Sequence, residues 1–128
     1  MLKVMNGLPG YVLGIEAEGK VSGTDYEDIL IPAVDEKLKA NEKSRMLYYL
    51  GAGFTGFGMK AMMEDAKVGI KHFSAWERVA LVSDHQWIKG FTKFFGRLLP
   101  VEVRVFSNDG LEEAKKWIVE NDNIDTSV

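Results

Sequence analysis

Few residues of this chain have types and spacings that could do chemistry. Gly51, Gly53 and Gly56 stand in the run Gly51-Ala52-Gly53-Phe54-Thr55-Gly56, which matches G-x-G-x-x-G. Between a strand and a helix, such a loop brings a dinucleotide pyrophosphate onto the helix N-terminus. Its partner would be an acid at the end of the next strand, about 20 residues on, to bind a ribose. Asp84 holds that place but lies 28 residues beyond Gly56. Glycine-rich connections also serve any tight strand-to-helix turn, and no G-K-[ST] follows for an ATP-type phosphate loop. Nucleotide binding at residues 51–56 is therefore the lesser reading of this segment.

The other chemical groups point away from catalysis. His72 and His85 are the only histidines, and a whole predicted strand separates them, too few and too far apart for most metal sites. There is no cysteine, which removes thiolate ligands, disulfides and a cysteine nucleophile. Glu64 and Asp65 are adjacent acids, but Lys60 and Lys67 flank Glu64 at helical spacing, as on a solvated helix face. No serine lies in a nucleophile elbow. The expectation is a protein that binds rather than an enzyme, with no catalytic residue, no metal and no cofactor.

The elements that would position a binding site follow from periodicity. Residues 2–6 and 11–17 are short apolar runs around Gly7, Pro9 and Gly10, which predict a hairpin; Leu13, Ile15 and Ala17 alternate as on a half-buried strand. Thr24-Asp25-Tyr26-Glu27 predicts a capping box and a helix to about residue 41, with a kink or restart at Pro32. A third strand is expected over 45–50, then a loop over 51–58 containing four glycines. Residues 59–72 predict a helix, 78–83 (RVALVS) a strand covered on both faces, 87–99 a helix, and 101–106 a fifth strand. A last helix, capped by Asn108 or Asp109, should run to about Asn121 and turn Leu111, Ala114, Ile118 and Trp117 inward. The order predicts an α/β fold: a five-stranded mixed, mainly parallel sheet with about four helices. Residues 1–121 read as one domain and 122–128 as a polar tail.

Composition sets the class. A chain of 128 residues, 46% apolar, can bury one core without metal or disulfide staples. No apolar run has the length of a signal peptide core or of a membrane span, so a cytoplasmic location is expected. Charge is uneven: residues 60–104 carry eight basic and five acidic groups, whereas 105–128 carry two and six.

The most informative stretch is 87–99. On a helical wheel Trp87, Ile88, Phe91, Phe94, Phe95, Leu98 and Leu99 share one arc, with Lys89, Lys93 and Arg97 opposite and no acid between. A core helix with a solvated basic back explains the pattern. So large an aromatic face beside Gly90 and Gly96, which weaken a helix, also suits a helix that covers an apolar pocket or lies in a membrane interface. The expected pocket residues are Phe54, Phe57, Met59, Met62, Met63, Trp87, Phe91, Phe94 and Phe95. The expected membrane-facing residues are Trp87, Lys89, Lys93 and Arg97. Partners are then a small apolar or lipid-like ligand, an anionic membrane surface or a protein, without nucleic acid, and an exposed apolar helix favours a homodimer.

From about Tyr11 to Asn121 the sequence resembles the SpoIIAA-like branch of the STAS superfamily. The segments that carry the resemblance are 24–27 with Pro32, Gly53-Phe54-Thr55-Gly56-Phe57, 73–84 with Trp87, and 103–106 before Glu113, Ala114 and Trp117. The resemblance implies the fold of anti-sigma-factor antagonists, similar to CRAL-TRIO lipid-binding domains, and a regulatory protein–protein role as the alternative function. Regulatory relatives are phosphorylated in an Asp-Ser-Ser-Gly type motif after the third strand. The matching region here leaves Thr55 as the candidate, with Phe54 where the preceding Asp would stand.

Overall fold

The computed structural model describes residues 1–40, 44–58, 76–84 and 102–120. Five strands form one sheet in the order β1 (Leu2–Val4), β2 (Val12–Val21), β3 (Ser44–Phe57), β4 (Trp76–Val82) and β5 (Glu102–Phe106). β1 runs antiparallel to β2, with Lys3 opposite Glu16. All later pairs are parallel. The mixed, mainly parallel sheet expected from the order of elements is the one observed. Of the four expected helices, the first and last fall among the described residues; the helices expected over 59–72 and 87–99 lie outside them.

Strand alternation divides the core between two faces. On the front, Leu13, Ile15 and Ala17 of β2 and Met46, Tyr48 and Leu50 of β3 pack against Tyr26, Leu30 and Val34 of the first helical segment. On the back, Val12, Leu47, Ala80, Val82 and Phe106 pack against Ala114, Trp117 and Ile118. The β1–β2 connection crosses the back face above Gly14. A Cβ built there would stand 2.5 Å from Leu8 Cδ1 and 3.0 Å from Met5 Cβ, so a glycine is what lets the connection close.

The first helical segment is organised differently from its prediction. Its capping box is formed by Ser22 and Asp25, not by Thr24 and Glu27: the Asp25 amide donates to Ser22 Oγ and the Ser22 amide to Asp25 Oδ2 at 2.8 Å. One turn of α1 (Gly23–Asp25) passes into a widened π-turn (Tyr26–Leu30) before α2 (Ile31–Ala40). Pro32 lacks an N–H, and its ring would press on the carbonyl of Asp28 in a regular helix. The wide turn, closed by the Ile31 amide on the Tyr26 carbonyl, absorbs that misfit. The break expected at Pro32 is thus a π-turn ahead of it. The Tyr26 and Tyr48 hydroxyls, both buried, lie 3.1 Å apart and tie this turn to the centre of the sheet.

The C-terminal helix also starts and ends elsewhere than expected. A 3-10 turn (Asn108–Gly110) leads into α3 (Leu111–Ile118). Neither Asn108 nor Asp109 is its cap; Gly110 holds that position, with no side-chain hydrogen bond. Ala114, Trp117 and Ile118 are buried as expected.

Candidate functional site

The two ends of the parallel sheet are built for different work. At the N-terminal ends of the strands, Arg45 and Arg78 face one another on β3 and β4 and point to the back, where α3 ends. Arg45 Nη1 donates to the carbonyls of Ile118 at 2.9 Å and Glu120 at 2.6 Å. Its Nε and Nη2 hold Glu77 Oε1. Arg78 Nη1 donates to the carbonyls of Trp117 and Glu120, and its guanidinium lies over the Trp117 ring. The Tyr11 hydroxyl adds a bond to the Val119 carbonyl. Carbonyls at the end of a helix have no partner within it and gather partial negative charge, so two buried guanidiniums are a matched cap. This end is closed and structural. Sequence reasoning missed it, although an arginine opens each of two otherwise apolar strands.

The C-terminal ends of the strands are built differently. β3 does not stop at Leu50; the segment expected to be a loop over 51–58 continues the strand to Phe57. Ala17 pairs with Leu50, Gly19 with Phe54 and Lys20 with Gly56. β3 therefore carries two extra residues at the first shift and Thr55 as one more at the second. Bulges need backbone conformations open to glycine: Gly19 has φ +58 and Gly56 φ +140. The G-x-G-x-x-G spacing is explained by bulges within a strand rather than by a phosphate-cradling turn. Asp84, the candidate ribose ligand, accepts the Asn108 amide at 2.9 Å and steadies the β5–α3 connection. Both features thus have a structural role in the fold.

The described part of the predicted pocket consists of Phe54 and the backbone of Phe57. Phe54 is 3% exposed and belongs to the front core. Thr55 is exposed at the second bulge, within the strand. Met59, Met62, Met63, Trp87, Lys89, Phe91, Lys93, Phe94, Phe95 and Arg97 lie outside the described residues.

The front face changes character toward β5. Val79 and Leu81 of β4 stand in register with Val103 and Val105 of β5, and all four are only half-buried, whereas Ala80, Val82 and Phe106 on the back are buried. Four aliphatic side chains in two registered pairs form an apolar floor on the front of this half of the sheet. On the back, Arg104 lies over the rings of Phe106 and Trp117. An open groove of about 190 Å³ there has Glu113, Lys116 and Glu120 at its rim, acids and bases together.

Among the described residues no group of three or more histidines or carboxylates is placed to hold a metal, and no helix is long and apolar enough to cross a membrane. The carboxyl of Asp25 is held below its ordinary value, chiefly by the backbone hydrogen bond from Ser22 and further by the Ser22 hydroxyl and the N-terminal ammonium. Helix capping accounts for that shift.

Comparison with known proteins agrees with this architecture. None of the curated proteins matches the chain. An uncharacterized protein of Shewanella loihica PV-4 with a SpoIIAA-like fold superposes with a TM-score of 0.72 over 92% of each chain, at 23% identity. The sequence model of the SpoIIAA-like family matches residues 12–119, which span all four parallel strands, the arginine-capped helix and the bulged tip of β3, and the chain belongs to that family.

Proposed function

We propose that this chain is a non-enzymatic binding module that takes a small apolar or lipid-like ligand on the front of its sheet, with residues 87–99 as the ligand's cover and its contact to an anionic membrane. The observation that carries the reading is the half-buried floor of Val79, Leu81, Val103 and Val105. Apolar sites of this kind bind by removing surface from water, at about 25 cal/mol per Å², and need few polar groups. The aromatic arc of 87–99 supplies the opposing apolar surface, and methionines 59, 62 and 63 an adaptable one. A thermal-shift series with fatty acids of increasing length tests this. Saturating acid should raise the melting temperature of the wild type, since a ligand at about 100 times its Kd stabilises by ~2.7 kcal/mol, and Leu81→Glu should remove the shift.

A second reading, a regulatory module that docks a protein, is favoured by the exposed tip of β3 at Ala52, Gly53 and Thr55. Family membership supports it, because a strand tip on a rigid sheet is a surface a partner can recognise. If no fatty acid shifts the melting point, and a partner captured by the wild type is lost with Ala52→Arg, the protein-docking reading stands in place of the ligand reading.

A further inference from the structure

We propose that the outer edge of β5 pairs antiparallel with β5 of a second copy of this chain, in the register centred on Val103, giving a two-fold dimer with one continuous ten-stranded sheet. The proposal is independent of the ligand reading. β5 ends the sheet order and pairs with β4 on one side; among the described residues no other segment hydrogen-bonds to its outer side. An edge strand is a template for another chain.

What selects a second copy is the charge pattern of Glu102-Val103-Arg104-Val105-Phe106. Glu102 and Arg104 both stand on the back face, and both are exposed. In a two-fold antiparallel pair, residues directly opposite share a face, so the pleat admits only registers centred on a residue. Centred on Val103, each Glu102 lies opposite the other copy's Arg104, and the two valines meet on the front. Centred on Arg104, the two guanidiniums oppose each other; centred on Glu102, the two carboxylates do. Opposite charges at directly facing positions stabilise, and like charges destabilise.

The surroundings of the two side chains fit this register. The Glu102 carboxylate is 58% exposed while lying 3.5 Å from Arg78 Nε, which leaves it accessible to a second guanidinium. Arg104 lies 4.9 Å from the Phe106 ring centre and 6.0 Å from that of Trp117, held on the back face where the facing carboxylate would arrive. Pairing would also join the Val103 and Val105 floors of two copies on the front. The opposite edge is less suited: β1 has three residues, with Lys3 at its midpoint.

Sedimentation equilibrium of the full chain from about 5 to 500 µM tests the proposal, bracketing the affinity range of weak pairs. Wild type should show a monomer–dimer equilibrium that weakens with salt. Glu102→Arg alone and Arg104→Glu alone should each raise the dissociation constant at least about tenfold, while the double swap restores it. Mixing the two single variants should give a 1:1 heterodimer, which also proves both chains folded. Amides of 102–106 should gain protection from hydrogen exchange as concentration rises. Monomer mass for wild type across the whole range overturns the proposal. So does a dimer that either single swap leaves unchanged, or a mixture of the two single variants that stays monomeric.

Discussion

Arg45 and Arg78, opposite one another on neighbouring parallel strands, both donate to the carbonyl oxygen of Glu120. Two cations are thereby held side by side, each compensated by helix-end carbonyls and by a carboxylate, Glu77 for Arg45 and Glu102 for Arg78. Removing the Arg45 guanidinium takes from the Ile118 carbonyl its side-chain donor, at a cost of about 1–3 kcal/mol, and removing either one leaves a carboxylate without its partner. It also removes packing of the side-chain stem. Arg45→Met and Arg78→Met should each destabilise by about 3–5 kcal/mol, read from urea unfolding midpoints. Arg78→Met should in addition shift the emission of Trp117, whose ring the guanidinium covers.

Gly14 sets how closely the β1–β2 connection lies on the back of the sheet. With Leu8 Cδ1 at 2.5 Å from an added Cβ, Gly14→Ala should cost about 1–3 kcal/mol by overpacking. Combining it with Leu8→Ala, which removes the clashing methyl, should bring the double variant closer to Leu8→Ala alone than additivity predicts. Thermal unfolding of the four proteins in this cycle measures the coupling.

Where the sequence was a good guide, one period ruled a whole element. Leu13-Ile15-Ala17 and Met46-Tyr48-Leu50 alternate cleanly and face the front core as expected. It misled where two local rules compete. Glycines 51, 53 and 56 read as a turn because glycine density marks turns and bulges alike, and pairing with Gly19–Val21 decides between them. Ser22-x-x-Asp25 and Thr24-x-x-Glu27 are both capping patterns, and the one that starts the helix two residues earlier is used. The role of Arg45 and Arg78 has no local signal, since strand register alone makes them neighbours above the end of a helix that lies 73 residues beyond Arg45. Residues 78–83 read as a strand covered on both faces, because a continuous apolar run carries no signal of how deeply each face is buried; on the front Val79 and Leu81 are half-buried.

The Asp25 carboxylate should give acid unfolding a recognisable contribution. Its pKa is depressed in the folded protein below the ordinary carboxyl value, mainly by the Ser22 amide. A depressed carboxyl stabilises the fold above its unfolded pKa, and that contribution is lost as pH falls through the folded value. The difference in melting temperature between wild type and Asp25→Asn should therefore be full at neutral pH, shrink below about pH 4 and vanish at lower pH. A difference that stays constant from pH 7 to pH 2 would assign the effect of the substitution to packing rather than charge.

The proposed association with a membrane is tested by sign and salt. Residues 87–99 carry Lys89, Lys93 and Arg97 with no acid among them, beside Trp87, Phe91, Phe94 and Phe95. Each basic group near an anionic leaflet contributes on the order of 1 kcal/mol. Aromatic side chains at the headgroup boundary add apolar burial that salt does not screen. Wild type should co-sediment with phosphatidylserine-containing vesicles at low salt and far less with neutral ones, and binding should fall as ionic strength rises and the Debye length shortens. Replacing Lys89 and Lys93 together by Glu reverses two charges and should abolish the anionic preference without changing the melting temperature. Replacing Phe91 and Phe94 by Ser should weaken binding at every salt concentration instead. Should wild type stay in the supernatant with anionic vesicles at low salt, and no fatty acid raise its melting temperature, the lipid reading fails and the proposed docking of a protein at the tip of β3 takes its place.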